Sequence, residues 1–544
     1  MFVLSSVAAA QSLPDAGQMQ RDVQPRPTSP ATVAPPIGLR EPALQAAVAG
    51  GPAFGVTSVL IQGHTVFSTD ELQALVADLP GPARTLPDAQ AAARRITAHY
   101  RSHGYPVARA FVPAQDVTAG QLRIEVFEGR IDRITLQNGS RVGDGALSSS
   151  LAGVQAGAVV ASSPIDRALM IWNDTPGVGA ARATLQPGVQ VGTSQLGIEF
   201  DPAPLVQGSL ALDNHGNAYT GRARLIGLLQ LNSPLGLGDQ LSLSALTSGR
   251  GLRHGRVAYE LPVGIAGTRL GVARHQTRYR LGGDFAALQA RGVADDARVF
   301  VSHPLWLTPT SRLSITLGAE HQALHDRIDA TASSTDKSLR STSAVLDGSW
   351  RDLQGERLSS AYLQLVNGRL RIHSLAAQAQ DAATVRTQGS FTRLAWALSH
   401  LQRVGPGSQV FASYAGQRAN RNLDSAEKFA IGGPRAVRAY GSGEASGDEA
   451  DLLSLEWRRQ LTPAVQGVLF HDIGRLRFNH TPFDAGAALH RTLSGLGIGL
   501  NAEASVAGMP ISVQSTLAWP VRGRPAQGAP VSSPVLWLTL ATRF

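Results

Sequence analysis

The chain has 544 residues, which exceeds the usual size of one domain and predicts at least two units or one very large β architecture. It has no cysteine, which excludes disulfides, thiolate metal sites and cysteine nucleophiles. The formal net charge of +9 comes from Lys and Arg spread along the chain, which argues against nucleic acid as a partner, and no apolar run is long enough for a transmembrane helix.

The first 52 residues are predicted to lie outside any folded core. Residues 1–10 are interpreted as the remnant of a signal peptide, because an apolar stretch ends in Ala-Ala-Ala-Gln. Residues 11–52 contain a polar segment, 14–22, and a proline-rich stretch that is predicted to form an extended linker.

Two small α+β domains are predicted next, over residues 53–129 and 130–204. The first shows the order β-α-α-β-β, and its last strand alternates strictly between apolar and polar residues. The second repeats this plan. The strands predicted in the first domain are 57–62, 107–112 and 122–128, with helices at 70–78 and 88–103. The elements predicted in the second are strands 131–137, 180–186 and 193–200 and helix 164–173.

Residues 205–544 are predicted to form one mainly β unit, an antiparallel transmembrane barrel. Alternating apolar residues recur without helical periodicity, as in Leu313, Ile315 and Leu317. At about 20 residues per strand and turn, this length accommodates roughly sixteen strands. Segment 326–343 is predicted to be a long polar loop and the neighbourhood of Ser408 a tight turn. The chain ends on Phe544, as outer-membrane barrels commonly do, whereas a pair of soluble β-sandwiches, the alternative, has no need of that ending.

Several motifs in these domains together resemble the two-partner secretion transporters of the outer membrane and their polypeptide-transport-associated (POTRA) domains. The second domain and the first predicted barrel hairpin, near 212–222, resemble the corresponding parts of that family. The markers in the first domain are Gly104-Tyr105, Pro113, Gln115-Asp116, Gly120 and Glu128-Gly129.

The segment 429–451 resembles the family's long loop that folds back into the barrel lumen. Its tip reads Val437-Arg438-Ala439-Tyr440, where the family has glycine in place of Ala439, so a tip that needs positive φ would be strained here. Phe470, Asp472 and Gly474 resemble the inner-wall motif that receives the loop arginine. The resemblance therefore implies a charge-assisted pair between Arg438 and Asp472.

The resemblance implies export of a large exoprotein, of the haemolysin, adhesin or contact-dependent toxin type, from the periplasm without nucleotide or other cofactor. It further implies a monomer in outer-membrane lipid that the barrel-assembly machinery inserts. Residues 14–22 are a candidate plug helix, and the exoprotein's N-terminal secretion domain is expected to bind the first POTRA domain between strand 122–128 and helix 88–103. The capture candidates are Gln115, Asp116, Leu122, Arg123, Ile124 and Val126.

Four other functions remain as alternatives. A barrel-assembly insertase usually has more than two periplasmic domains, a nutrient receptor needs a plug domain of another pattern, and a plain porin needs no N-terminal domains. An outer-membrane lipase or protease would need a catalytic triad, and no G-x-S-x-G elbow occurs. His99 and His103 stand at i and i+4, but no third ligand follows, so they are interpreted as surface residues and no metal is expected.

Overall fold

The computed structural model of the protein describes residues 13–24, 52–149, 151, 153–190, 192–484, 486, 488–523 and 534–544. The chain divides into two compact units. One contains the N-terminal helix and the barrel, and the other contains the two α+β domains. The predicted signal remnant and the proline-rich linker lie outside the described residues.

The first α+β domain packs two helices against one face of a three-stranded sheet with the order β2-β5-β4. Strands β1 and β3 form a separate two-stranded sheet that the sequence did not predict. Helix α3 begins with a capping box between Thr85 and Asp88, which satisfies free N–H groups of its first turn. The elements are β1 (Phe54–Val56), β2 (Ser58–Gln62), α2 (Thr69–Ala74), β3 (Gly81–Arg84), α3 (Leu86–Ser102), β4 (Arg109–Phe111) and β5 (Gln121–Phe127).

The second α+β domain repeats the plan with a sheet of order β6-β8-β7. Its core contains Trp172 of α5, which is 2% exposed and packs edge-on against Phe200 of β8. The elements are β6 (Arg130–Asn138), α4 (Asp144–Ser149), α5 (Ser162–Asn173), β7 (Val178–Pro187) and β8 (Thr193–Pro202).

The barrel closes through sixteen antiparallel strands among the described residues, as the sequence predicts. Helix α1 (Ala16–Val23) belongs to the same unit. The barrel strands are β9 (Val206–Asp213), β10 (Arg224–Asn232), β11 (Gln240–Thr247), β12 (Leu252–Val263), β13 (Thr268–Arg280), β14 (Ala290–Thr308), β15 (Ser311–Ile328), β16 (Ser333–Arg351), β17 (Arg357–Ile372), β18 (Gly389–Gly405), β19 (Ser408–Ala419), β22 (Glu449–Thr462), β23 (Val465–Arg477), β24 (His490–Val506), β25 (Met509–Arg522) and β26 (Val535–Arg543). The remaining elements are helix α6 (Leu375–Ala383) and the short strands β20 (Phe429–Ala430) and β21 (Ser446–Gly447).

Every second residue of a barrel strand points outward, and many of these outward residues are large and apolar, as in a barrel that crosses a membrane. Leu496, Ile498 and Leu500 of β24 are 51%, 50% and 49% exposed, as expected for side chains that meet lipid. Among the described residues, no helix combines the length and apolar character needed to cross a membrane.

The prediction of a long polar loop at 326–343 is wrong. Strands β15 and β16 pair throughout this segment, from Ile328 opposite Ser333 onward, and only a short turn joins them. The polar residues misled the prediction because strand ends that rise above the lipid do not need an apolar face.

The marker Glu128 fixes the end of the central sheet strand in the first domain. Its side chain is 5% exposed and accepts hydrogen bonds from the backbone N–H of Thr65 (2.5 Å) and Val66 (2.8 Å) and from the Tyr100 hydroxyl (2.8 Å). Burial alone raises the pKa of Glu128, but the hydrogen bonds from Thr65 and Val66 outweigh it and hold the pKa below its ordinary value. This marker is therefore a structural anchor.

Replacing Glu128 with Gln should destabilise the α+β unit by about 1–3 kcal/mol, because buried donors lose a charged acceptor. Because the folded pKa is lowered, the wild-type advantage is present above the ordinary pKa of about 4.5 and disappears as the pH falls through the folded value. Urea unfolding of residues 52–203 gives the free energy of unfolding at pH 7 and at pH 3. If the variant and the wild type differed in this free energy by the same amount at both pH values, the lowered pKa of Glu128 would be contradicted.

Candidate functional site: a loop held in the barrel lumen

The connection between β19 and β22 folds back and is buried inside the barrel. Strands β20 and β21 pair as a small hairpin, and the chain between them forms a tip. The tip residues Val437, Ala439 and Tyr440 are 0%, 1% and 1% exposed, and they pack with Ile431 in one apolar cluster. A loop buried to this extent is a fixed part of the lumen.

Arg438 at the tip reaches strands β22 and β23 of the barrel wall. Its Nε and Nη2 donate to the two carboxylate oxygens of Asp472 at 2.8 and 2.7 Å. Nη1 donates to Glu456 Oε1 at 2.7 Å, and Nη2 also donates to Ser454 Oγ at 3.0 Å. The guanidinium stacks 3.5 Å from the centre of the Phe470 ring. The wall therefore binds the N–H edge of this cation through three side chains and one of its faces through a ring.

Asp472 is completely buried, so its charge depends on this pairing. The carboxylate also accepts hydrogen bonds from the Arg438 backbone N–H (3.1 Å) and from Ser454 Oγ (2.6 Å). Removing one partner of a buried ion pair costs about 3–5 kcal/mol because the other charge stays buried and unpaired. The arginine and the aspartate thus hold the tip against the wall as a unit.

Glycines in the wall make room for the tip. A Cβ added to Gly474 would lie 3.0 Å from Val437 Cγ2, and one added to Gly495 would lie 2.4 Å from the Cβ of Ala439. The strain expected at Ala439 is absent, because its backbone φ is not positive. Ala439 instead fills space that Gly495 of β24 leaves open, so the methyl group costs no backbone strain.

Two further contacts join the tip to the last strands of the barrel. The indole Nε1 of Trp537 on β26 donates to the Arg438 carbonyl at 2.7 Å. The Tyr440 hydroxyl donates to the carbonyls of Arg522 and Gly523 at 2.8 and 2.9 Å. Sequence reasoning did not identify Ser454, Glu456, Gly495 or Trp537. For Ser454 and Glu456 a signal existed, since they alternate on the strand that precedes the inner-wall motif.

Helix α1 lies inside the barrel and packs against the wall. Asp15 caps it by accepting from the Gln18 N–H at 2.9 Å. Met19 is 1% exposed and packs in a cluster with Tyr279 and other residues of β13–β15. Gln20, also buried, forms a 2.7 Å hydrogen bond with His275 Nδ1 and accepts one from the Thr277 hydroxyl.

Charged side chains tie the start of this helix to the segment that leads into the lumen loop. Lys337 of β16 lies 2.8 Å from Asp424 and 3.5 Å from Asp15. Ser425 Oγ donates to Asp15 at 2.6 Å, and Arg21 Nη1 donates to the carbonyls of Ser425 (2.8 Å) and Lys428 (3.2 Å). The helix and the loop segment therefore share one polar network.

The three apolar capture candidates of the first α+β domain are core residues in this fold. Leu122, Ile124 and Val126 are 1%, 0% and 2% exposed in the core, because the central strand β5 presents them to the helices. The predicted groove between β5 and α3 is therefore filled, and these three side chains cannot contact a peptide in the folded domain.

Two of the three polar candidates are also used within the fold, whereas the side chain of the third, Arg123, is 42% exposed and lies 3.5 Å from Glu125. The Gln115 amide exchanges two hydrogen bonds, each of 2.7 Å, with the backbone of Arg123, and Asp116 accepts from the Thr118 N–H at 2.9 Å. Among the described part of the chain, no cluster of His, Asp and Glu is placed to hold a metal ion.

A closed barrel with an inward-folded loop, preceded by small α+β domains, defines an outer-membrane β-barrel with POTRA domains. The family model of haemolysin secretion/activation proteins, ShlB/FhaC/HecB, matches residues 192–502, and the model of the ShlB-type POTRA domain matches residues 54–129. The chain belongs to the ShlB/FhaC/HecB family. It is an outer-membrane two-partner secretion transporter, and its POTRA domains are periplasmic, as in this family.

Relatives agree with this assignment, and a solved structure shares the fold. The heme/hemopexin transporter protein HuxB of Haemophilus influenzae (strain 86-028NP) is 31% identical over 87% of this chain and 85% of its own length. The outer membrane transporter CdiB of Dickeya dadantii is 24% identical over 87% and 83%. The structure of CdiB from Escherichia coli superposes with a TM-score of 0.73 at 22% identity, covering 94% of both chains.

Because Ala439 lies so close to Gly495, substitutions at these two positions should have unequal effects on the loop. Gly495→Ala should disrupt the loop, since the two Cβ atoms would overlap, whereas Ala439→Gly should be tolerated. The double variant Ala439→Gly, Gly495→Ala should hold the loop in place better than Gly495→Ala alone. A single cysteine introduced at the loop tip reports, through its reactivity in outer membranes, whether the loop stays seated. A failure of Ala439→Gly to improve Gly495→Ala would show that the clash lies elsewhere.

Proposed function

We propose that the protein recognises one large secreted protein in the periplasm and passes it through the barrel to the cell surface, with no nucleotide and no catalytic step. The observation that carries the proposal is the loop fixed in the lumen by Arg438 and Asp472, because a simple diffusion pore needs no such loop. The seated loop and helix α1 both occupy the lumen, and the cargo is proposed to displace them.

The cargo is proposed to be a large exoprotein. Haemolysin, adhesin and contact-dependent toxin types remain the candidates, and the similarity to heme/hemopexin transporter proteins adds a heme-acquisition protein. The transporter is proposed to act as a monomer that the barrel-assembly machinery inserts into outer-membrane lipid. The insertase alternative is disfavoured, because the BamA structure from Haemophilus ducreyi superposes with a TM-score of only 0.50 at 14% identity.

A deletion of the gene tests this function directly. The deletion strain should lose one large protein from the culture supernatant, while other outer-membrane barrels assemble normally. Complementation with Arg438→Ala should restore less than about a tenth of the wild-type secretion, because the buried Asp472 loses its partner. The matched control is Arg475→Ala, an exposed arginine on the same strand as Asp472. A general loss of barrels would point to the insertase.

Capture of the cargo is proposed to occur at the open edge of the first POTRA sheet. Strand β2 lies at one edge of the order β2-β5-β4. The other edge is occupied, because the Ala110 N–H of β4 donates to Thr97 Oγ1 of α3 at 2.9 Å. An extended chain can therefore add beside β2 by β-augmentation.

A charged residue on this edge should block capture. Leu60 of β2 is 37% exposed, and Leu60→Glu should weaken binding of the cargo's secretion domain to purified residues 52–203 by at least about fivefold, because edge charges oppose strand addition. Fluorescence anisotropy measures the affinity. The control is Val189→Glu in the second domain, where the side chain is already 82% exposed. Equal affinity of both variants would exclude the β2 edge.

Helix α1 is proposed to plug the pore until cargo arrives. Deleting residues 13–24 should raise the single-channel conductance in planar bilayers several-fold, because the buried volume of Met19 and Gln20 is removed from the lumen. The matched control is Asp22→Asn, which keeps the helix. Unchanged conductance of the deletion protein would assign the closure of the pore to the lumen loop alone.

A further inference from the structure

Two rows of cationic side chains cross neighbouring strands on the outer face of the barrel. In the first row Arg280 of β13, Arg291 of β14 and Arg327 of β15 are register partners. In the second row His321 of β15, Arg340 of β16 and Arg369 of β17 are register partners. All six side chains are exposed.

These side chains point toward the membrane, away from the lumen. Arg340 lies an even number of residues from the exposed Leu346 on β16, and Arg369 from the exposed Leu363 on β17. Their neighbours Leu339 and Leu370 are each 1% exposed and point inward. Because side chains alternate along a strand, the arginines continue the lipid-facing columns.

The second row stands at the level of the outer-leaflet headgroups, and the first row lies six residues nearer the extracellular end of β15. The POTRA domains are periplasmic and β9 follows them in the chain, so the β13–β14, β15–β16 and β17–β18 connections are extracellular. Trp350, 42% exposed, occupies the periplasmic end of β16, and Arg340 lies about 33 Å further along the strand. At the usual tilt this is about 25 Å of height, the full apolar band of such barrels.

The like charges in these rows are only partly neutralised by the protein. Directly opposed like charges destabilise a sheet. Asp329 pairs with Arg291 at 3.1 Å and with Arg327 at 2.7 Å. Among the described residues, no carboxylate lies within ion-pair distance of Arg280, Arg340 or Arg369.

The sector of the barrel that follows β18 is built differently. On β19 the outward Arg418 pairs with Asp451 of β22 at 2.9 Å, and Asp451 also faces Arg475 of β23 in register. Basic and acidic residues thus alternate there, whereas in the two rows on β13–β17 only Arg291 and Arg327 have an acidic partner among the described residues. The sector β13–β17 therefore carries positive charge that the protein does not neutralise.

We propose that this sector binds the phosphate groups of a phosphorylated lipid in the outer leaflet. Guanidinium groups suit this ligand, because they stay charged and donate two parallel hydrogen bonds to phosphate oxygens. Arg340 and Arg369 of the second row and Arg280 of the first row bind phosphate directly, and the acyl chains lie on the leucines and valines below the second row. The site is independent of the proposed cargo.

Native mass spectrometry of the full-length protein with bisphosphorylated lipid A tests the site. The triple variant Arg280→Gln, Arg340→Gln, Arg369→Gln should bind at least about tenfold more weakly than wild type, because three charge-assisted contacts are lost. The control variant Arg418→Gln, Arg475→Gln removes charge from the other sector and should bind as wild type does. Equal weakening in both variants would overturn the proposal.

Two further arms separate the headgroup from other sources of binding. Dephosphorylated lipid A should bind wild type no better than the triple variant does, and millimolar inorganic phosphate should not displace the lipid. Displacement by inorganic phosphate would overturn the assignment to a lipid. In uncharged detergent the triple variant should keep its heat-modifiable mobility and melt no lower than wild type, because repulsion is removed, so a lower melting temperature would also contradict the proposal.

Discussion

The pairing of Arg438 with the buried Asp472 is the interaction on which the interior of this barrel depends. It converts an otherwise solvated connection between β19 and β22 into a packed part of the wall, with Val437, Ala439 and Tyr440 buried around it. A carboxylate with no solvent access is tolerable only while the guanidinium is present. The position of the loop therefore depends on the charged group in the wall, and that buried charge depends on the loop.

The lumen contents form a connected body. Arg21 of helix α1 contacts the carbonyl of Lys428, whose ammonium group lies 3.0 Å from Asp448 beside strand β21. The helix is thus linked, through a few polar contacts, to the hairpin that carries the loop tip. Satisfied polar contacts of this kind hold a defined arrangement, so the proposed displacement by cargo would have to break them together.

Much of this fold and part of the site could be predicted from the sequence. The alternation of apolar and polar residues predicted the barrel strands. The ordered motifs predicted the domains and the pairing of Arg438 with Asp472. Leu122, Ile124 and Val126 were misassigned, because alternation shows which residues share a face but not whether that face is the core or a binding groove. Gly495 and Trp537 were missed because they lie far from the loop in sequence, and only barrel closure brings them to it.

Arginine supplies nearly all the positive charge of this chain, and its two lysines, Lys337 and Lys428, both lie in the lumen, with side chains only 15% and 17% exposed. Apart from the chain terminus, the protein thus has no primary amine outside the pore. Apart from the terminal amine, reagents that acylate amines would therefore mark the interior alone. The two lysines are therefore native chemical reporters of whether the channel is occupied.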